Sequence, residues 1–179
     1  QPADDTDFEI EVKFESGLST AYQMQGVLVE QASDDFLRLE FYSGGSGTRL
    51  FAAILEPGTV DPLKPTIKYD QQIAGVNTAP LYMRVRRQGD QWTQSYSFDG
   101  TDWTTPVTFT HAMTVTAVGT YASNAGSSPP AHTGHIDYFF VYRKFAINQH
   151  KIADSSTNCK GHHEPTGFSS PKIVVIQSS

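Results

Sequence analysis

The sequence predicts an all-β fold, a sandwich or a barrel built from short antiparallel strands. Apolar and polar residues alternate with a period of two in several separate runs, which is typical of half-buried strands. Clusters of Gly, Asp, Asn and Ser separate these runs, as tight turns between strands require. No run keeps apolar residues at helical spacing over several turns, and residues 142–153 are the one weak helix candidate. This combination favours an all-β domain.

The first predicted strand is the run FEIEVKF at residues 8–14, in which every second residue is apolar. Glu9, Glu11 and Glu15 share its opposite face. Because this strand is the first of the chain, we expect these acids to line a solvated sheet edge rather than a catalytic groove.

Two hairpins are predicted further along the chain. The first joins residues 26–31 to residues 36–42, and the second joins residues 81–87 to residues 92–98. Gly89 lies in the second turn, where a positive φ is favoured. Each hairpin has apolar residues on one face, which we expect to form core, and polar residues on the other.

The register of the second hairpin follows from its turn. If Gln88 faces Gln91, Arg84 lies opposite Ser95, and Trp92 falls on the core side. The predicted core face consists of Leu81, Met83, Val85, Tyr96 and Phe98.

Two more strand-like runs cover residues 114–121 and 136–142, and the composition changes near residue 145. The remainder is polar and rich in turn residues until the run KIVVI at residues 172–176. We therefore predict a sandwich over residues 1–144 and a polar extension over residues 145–179. Either the terminal strand of this extension completes the sandwich by covering an open edge, or the sequence has been trimmed at its N-terminal side.

Composition limits the possible functions. The chain has 179 residues, the size of one domain, and 38% of them are hydrophobic, enough for a core. A net charge of −6 disfavours nucleic-acid binding. No apolar run approaches the roughly 18 residues that a membrane span needs. The lone Cys159 excludes an intramolecular disulfide framework. Because strand pattern starts almost at Gln1, we expect a piece of a larger, multidomain protein.

The outward faces of the hairpins are candidate binding surfaces. Tyrosine rings can stack on sugar faces, and Arg and Glu side chains can bond pairs of hydroxyls. The predicted ligand-binding residues are Arg38, Glu40, Tyr42, Tyr82, Arg84, Arg86 and Tyr121. We expect Arg38 to pair with Glu40 rather than to raise its pKa. The alternative is an ordinary solvated sheet face.

An ordered series of motifs resembles the concanavalin A-like lectin/glucanase β-sandwich domains. The motifs are DFEIEVKF, QGVLVEQASDDFLRLEF, LYMRVRRQGDQWTQSYSFDGTDWT, VGTYASN and HIDYFFVY, over about residues 7–142. They resemble in particular the sandwich domain on the C-terminal side of family 43 glycoside hydrolases and related secreted bacterial modules. The resemblance implies a two-sheet antiparallel jelly roll, secreted or at the cell surface. In the S-x-D-G-x-x-W element we expect Trp103 to close a turn.

The resemblance is weakly specific for function, because this fold hosts lectins, glucanases and adhesion domains. Glycoside hydrolysis needs two carboxylates, and the E-x-D-x-x-E pattern of the related glucanases is absent from the sequence. We therefore expect a non-catalytic carbohydrate-binding module that binds a polysaccharide on a concave Arg/Tyr-bearing sheet face. The alternatives are a lyase or glycoside hydrolase using the same groove, or a protein-binding or structural adhesion domain.

Two metal sites are considered. The resemblance implies a structural calcium with Asp137 as a ligand, since relatives use the acid of this last-strand motif; alternatively, Asp137 caps a turn or pairs with His135. Cys159, His162 and His163 have a spacing at which zinc ligands occur, although a surface loop with incidental histidines is the simpler interpretation.

Overall fold

The computed structural model describes residues 1–59, 64–143 and the strand at 174–178. These residues form strands joined by turns and loops, and none of them forms a helix long and apolar enough to cross a membrane. The strands are β1 (Phe8–Phe14), β2 (Gln23–Ala32), β3 (Asp35–Ser43), β4 (Thr48–Leu55), β5 (Thr66–Ala74), β6 (Leu81–Gln88), β7 (Gln91–Ser97), β8 (Thr104–Thr110), β9 (Ala117–Asn124), β10 (His132–Arg143) and β11 (Val174–Ser178).

The strands form two antiparallel sheets. The six-stranded sheet has the order β11-β10-β1-β6-β7-β8, and the five-stranded sheet has the order β5-β4-β3-β2-β9. Apolar side chains at alternate positions of both sheets pack into one core between them, since a sheet with one apolar face must bury it against another layer. The prediction of an all-β, two-sheet antiparallel sandwich is confirmed.

The core follows the alternation in the sequence. Phe8 to Phe14 bury every second side chain, and Leu37, Leu39 and Phe41 are buried on β3. Trp92 is fully buried and its Nε1 donates to the carbonyl of His111 at 2.9 Å. Its predicted place on the core side is therefore confirmed.

The expected edge position of β1 is wrong. β1 pairs with β10 on one side and with β6 on the other, so that Val12 lies between Phe139 and Met83. An alternating pattern reports which face of a strand is buried, but it carries no information on how many neighbours the strand has. Glu9 and Glu11 therefore lie in the interior of the sheet surface and not at its rim.

The predicted register of the second hairpin is confirmed, with Gln88 opposite Gln91 and Arg84 opposite Ser95. The expectation that Phe98 belongs to the core is wrong, since 42% of this side chain is exposed. β7 ends at Ser97, and the tight turn that follows redirects the chain before the alternation can continue.

The C-terminal strand β11 lies at the edge of the six-stranded sheet. It pairs antiparallel with β10, where Val174 is opposite Ile136 and Ser178 is opposite His132. Residues 144–173 lie outside the described residues, as does most of the helix candidate at 142–153. The division into a sandwich and a polar extension therefore stays a prediction.

Candidate functional site

The outer face of the five-stranded sheet has a row of side-chain positions to which every strand contributes. In strand order across the sheet the row is Tyr121, Gly26, Glu40, Phe51 and Asp70. Each of these alternates with a residue that faces the core, so their side-chain directions are fixed by the pleat. A buried acid, a second acid and two aromatic rings are thus aligned across one face.

Arg38 and Glu40 form a two-contact ion pair in the middle of this face. Arg38 Nη2 donates to Glu40 Oε1 at 2.7 Å, and Arg38 Nε donates to Oε2 at 3.3 Å. Glu40 is only 2% exposed. Burial raises the pKa of its carboxyl, while the Arg38 charge and hydrogen bonds lower it and nearby Asp70 adds to the rise. The expected pairing is present, and Arg38 lowers the pKa of Glu40 rather than raising it. The net rise of this pKa comes from desolvation, which outweighs the pair.

A second cluster joins Tyr42, Arg49 and Asp70. The hydroxyl of Tyr42 donates to Asp70 Oδ1 at 2.9 Å, and Arg49 Nε donates to the same oxygen at 2.7 Å. Burial and the carboxylate of Asp70 raise the pKa of the Tyr42 hydroxyl. Arg49 and Asp70 are partly exposed, so this cluster can reach a ligand as well as hold its own geometry.

Phe51 joins the two clusters. Its ring packs edge to face against Tyr42 at a centroid distance of 5.8 Å, and the guanidinium of Arg38 lies 5.6 Å from its centroid. Such contacts restrict the rotamers of all three side chains. The result is one connected patch of fixed donors, acceptors and ring edges, which we call the Arg38–Asp70 patch (Arg38, Glu40, Tyr42, Arg49, Phe51 and Asp70).

Two glycines lie beside the patch, and of the two only Gly119 has open space above it. A Cβ at Gly26 would come within 2.3 Å of the carbonyl of Leu39 and 2.6 Å of the Cα of Glu40, so only glycine fits there. Gly119, on the neighbouring strand, has open space above it and lines a shallow cavity of about 140 Å³ together with Leu28. Next to them, the hydroxyl of Tyr121 is buried and has no hydrogen-bond partner among the described residues.

The structure divides the predicted ligand-binding residues between two surfaces. Arg38, Glu40, Tyr42 and Tyr121 lie on the outer face of the five-stranded sheet, as described above. The other three, Tyr82, Arg84 and Arg86, lie on β6 and point outward from the six-stranded sheet. The two groups therefore face opposite directions and do not form a single site. The sequence could not separate the two groups, because both hairpins have the same alternation of buried and exposed residues. This alternation does not indicate which sheet a hairpin belongs to.

Sequence reasoning missed Arg49, Phe51 and Asp70. They lie on β4 and β5, which the alternation pattern does not predict. β4 is buried along nearly its whole length, because Phe51 and its outward-facing neighbours are covered as well as its core residues. In a strand that is buried on both faces, apolar residues no longer alternate with polar ones, so the sequence shows an almost continuous apolar run.

Arg84 is fixed by two neighbours on the outer surface of the six-stranded sheet. Its Nε donates to Glu11 Oε2 at 2.8 Å, and its guanidinium carbon lies 3.8 Å from the ring centroid of Trp103. Trp103 also closes the predicted turn, because its Nε1 donates to the carbonyl of Gly100 at 3.1 Å. The indole of Trp103 therefore contacts Arg84 on this outer surface in addition to closing the turn as expected. Tyr82 packs edge to face on the same ring.

The surroundings of Asp137 do not fit a calcium site. Lys13 Nζ donates to Asp137 Oδ2 at 2.9 Å and also pairs with Glu15, so an ammonium group already supplies the positive charge. Calcium requires six to eight oxygen ligands. Within the described ranges, no group of three or more His, Cys, Asp or Glu side chains is arranged to hold a metal ion. Cys159, His162 and His163 lie outside the described residues.

Several solved structures have a fold similar to that of the chain. The GH43 BlXynB protein from Bacillus licheniformis is 14% identical, with a TM-score of 0.61 over 77% of this chain and 28% of its own. The xylan beta-1,4-xylosidase from Bacillus halodurans C-125 is 17% identical, with a TM-score of 0.59 over 76% and 28%. The alginate lyase from Klebsiella pneumoniae is 12% identical, with a TM-score of 0.53 over 77% and 60%.

No protein-family model and no curated protein sequence matches the chain. The chain spans 28% of the length of each of the two Bacillus proteins, so it corresponds to one part of them. At such low identities the likeness shows the fold alone. That fold is one that carbohydrate-active proteins contain. The chain is therefore a two-sheet β-sandwich, and its fold resembles that of parts of these family 43 glycoside hydrolases and of the alginate lyase.

Proposed function

We propose that this domain is a non-catalytic carbohydrate-binding module that binds a polysaccharide across the outer face of the five-stranded sheet. The observation that carries the proposal is the Arg38–Asp70 patch, in which two Arg–carboxylate pairs and two aromatic rings are mutually fixed on an outward-facing surface. Donors and acceptors held side by side suit the paired hydroxyls of a sugar.

Stability alone does not explain the patch. A buried ion pair such as Arg38–Glu40 contributes little net stability, and apolar residues of similar size would often serve at least as well. A binding role explains the pair better, because Glu40 fixes the guanidinium of Arg38 while Asp70 fixes that of Arg49. These side chains are already ordered in the folded protein, so they lose little conformational entropy when a ligand binds.

The parts of the patch have different roles in this proposal. Arg49 and Asp70 are accessible and bond sugar hydroxyls directly. Glu40 is buried and acts as a positioning residue for Arg38 rather than as a ligand contact. The open surface beside Gly119 admits the sugar chain next to the patch.

The enzyme alternative is weaker on this face. A general acid must reach the glycosidic oxygen, yet the carboxyl of Glu40, whose raised pKa would suit that role, is covered and held by Arg38 at both oxygens. The two similar Bacillus proteins are a GH43 protein and a xylosidase, but the chain spans only 28% of the length of each. We therefore propose that it serves as one domain of a larger secreted or cell-surface protein that acts on or adheres to polysaccharide.

Affinity electrophoresis of the whole chain in gels containing neutral or acidic polysaccharides tests the proposal. Arg49→Ala should weaken retardation at least about tenfold, because it removes an accessible donor and frees Asp70. Arg143→Ala is the matched control, since Arg143 also pairs with a surface carboxylate, Asp4, but lies away from the patch. Retardation by no polysaccharide would overturn the proposal in favour of a protein-binding domain. New reducing ends in the same mixtures would overturn it in favour of an enzyme.

A further inference from the structure

The outer face of the six-stranded sheet has its own ordered pattern of side chains, remote from the Arg38–Asp70 patch. Its most conspicuous part is an aromatic column along β10. The rings of Tyr138 and Phe140 are stacked with centroids 5.0 Å apart, and those of Phe140 and Tyr142 are tilted at 6.0 Å. Phe140 is 42% and Tyr142 is 51% exposed. Two large rings side by side in water form an apolar strip that a solvated face does not need.

Charged and hydroxyl side chains continue this pattern across the sheet. Phe140 is opposite Glu11, which is opposite Arg84, which is opposite Ser95. The next row repeats the order of an aromatic ring, an acid, an arginine and a hydroxyl. Its members are Tyr142, Glu9, Arg86 and Thr93. The face therefore places an aromatic strip beside alternating acceptors and donors.

These polar groups are rigid before any ligand arrives. Glu11 accepts from Tyr138 at 2.7 Å and from Arg84 at 2.8 Å, so it joins the aromatic column to the arginine column. Trp103 supports the guanidinium of Arg84 from the other side at 3.8 Å. A surface fixed in this way loses little side-chain entropy on binding.

The charges on this face favour an uncharged ligand. Lys13 is paired with Glu15 and Asp137, and Arg84 is paired with Glu11. Arg86 has no ion pair among the described residues, but it lies opposite Glu9, so the acids on this face outnumber the cations. A polyanion would also approach Glu9 and Glu11 directly beside the rings. A neutral chain of sugars faces no such repulsion and offers both apolar ring faces and hydroxyls.

We propose that the outer face of the six-stranded sheet is a second binding surface, specific for an uncharged polysaccharide. Sugar rings stack on Phe140 and Tyr142, while Glu11 accepts from sugar hydroxyls and Arg84 donates to them. The inference extends the proposed function to a second face, but it depends on separate residues. Two faces on one domain would let a single module bridge polysaccharide chains, with the gain in avidity that two linked sites give.

Trp103 fluorescence provides a test that is specific to this face. Trp103 contacts Arg84 on the six-stranded sheet, whereas Trp92 is fully buried in the core. The whole chain is titrated with soluble β-glucan, xylan and galactomannan as neutral probes, and with polygalacturonate as the acidic probe. We expect a saturable change with at least one neutral probe and none with polygalacturonate, and Trp103→Phe should abolish the change.

Variants of the column complete the test. Phe140→Ala combined with Tyr142→Ala should weaken neutral-probe binding at this face at least about tenfold. Phe98→Ala is the matched control, since Phe98 is the same residue type with the same 42% exposure outside the column, and it should bind like the unaltered protein. Circular dichroism and Tm establish that each variant is folded.

The possible outcomes separate this inference from the proposed function. Unchanged binding by the folded double variant, together with loss in Arg49→Ala, would overturn the inference and leave the proposed function standing. A response to polygalacturonate alone would also overturn it, as would concentration-dependent self-association that the double variant abolishes. The absence of any polysaccharide binding would overturn both.

Discussion

The guanidinium of Arg38 donates hydrogen bonds to both carboxylate oxygens of Glu40. Although Glu40 lies on the outer face of a sheet, its side chain is almost completely buried. Burial nevertheless raises the pKa of Glu40, because the desolvation of its charge destabilises the ionised form more than the ion pair with Arg38 stabilises it. The pair is therefore better suited to fixing Arg38 than to stabilising the fold. This difference can be measured.

Arg38→Met should lower the free energy of unfolding at pH 7 by about 3–5 kcal/mol, because it leaves a buried charge without its partner. It should also raise the folded-state pKa of Glu40 further above the value in the unfolded chain. A carboxyl whose folded pKa is raised loses stability as the pH rises from its unfolded to its folded pKa. The deficit of the variant should therefore be small at pH 4 and large at pH 8 in urea unfolding.

A double variant serves as the control for that experiment. Arg38→Met combined with Glu40→Leu removes both charges, and it should recover most of the lost stability with no added dependence on pH. A deficit of Arg38→Met that is the same at pH 4 and pH 8 would contradict the assignment of its cause to the Glu40 charge.

The two glycines beside the patch should differ in how far alanine destabilises the fold. Gly26→Ala brings a Cβ to 2.3 Å from the Leu39 carbonyl, so it should lower the free energy of unfolding by at least about 1–3 kcal/mol or prevent soluble expression. Gly119→Ala meets nothing within 4 Å and should change stability by less than about 0.5 kcal/mol. Thermal unfolding of the two variants side by side checks the pair, and equal effects would contradict it.

The sequence predicts this fold well wherever local pattern decides it. The turn at Gly89 and the alternation on both sides suffice to place Arg84 opposite Ser95, as found. What the alternation leaves open is the partner of each strand. It therefore predicts neither the central place of β1 nor the separation of Tyr42 from Tyr82 onto opposite faces. These are long-range pairings, and no local period encodes them.

The candidate site was only half accessible to sequence reasoning. Arg38 and Tyr42 stand out because charged and aromatic residues alternate there with Leu and Phe. Asp70 does not stand out, because β5 is an exposed edge strand. It has too few apolar residues to indicate which of its side chains face the core. Its role depends on meeting Tyr42 and Arg49 from two other strands. A functional cluster assembled across strands becomes visible only with the register.

His132 should contribute a loss of stability as the pH falls from 7 to 5. This side chain is buried, and burial lowers its pKa below 6.5, with the charge of His135 adding to the effect. A folded-state pKa below the unfolded one means that the unfolded chain binds more protons as the pH falls through this range, so the folded state loses stability. His132→Gln should flatten the dependence of Tm on pH between 7 and 5, whereas His111→Gln should retain it. A parallel decline in all three proteins would exclude His132 as the cause.

Chelation should leave the sandwich unchanged. The carboxylate of Asp137 accepts from Lys13 at 2.9 Å, and the same ammonium pairs with Glu15, which raises the pKa of Lys13 and keeps it charged. A divalent cation at Asp137 would have to displace this ammonium and then find several more oxygens. We therefore expect Tm to shift by less than about 1 °C between excess EDTA and millimolar calcium, since a ligand stabilises only the state that binds it. A rise of several degrees with calcium would mean that a metal competes with Lys13, and Asp137→Asn would then abolish that rise.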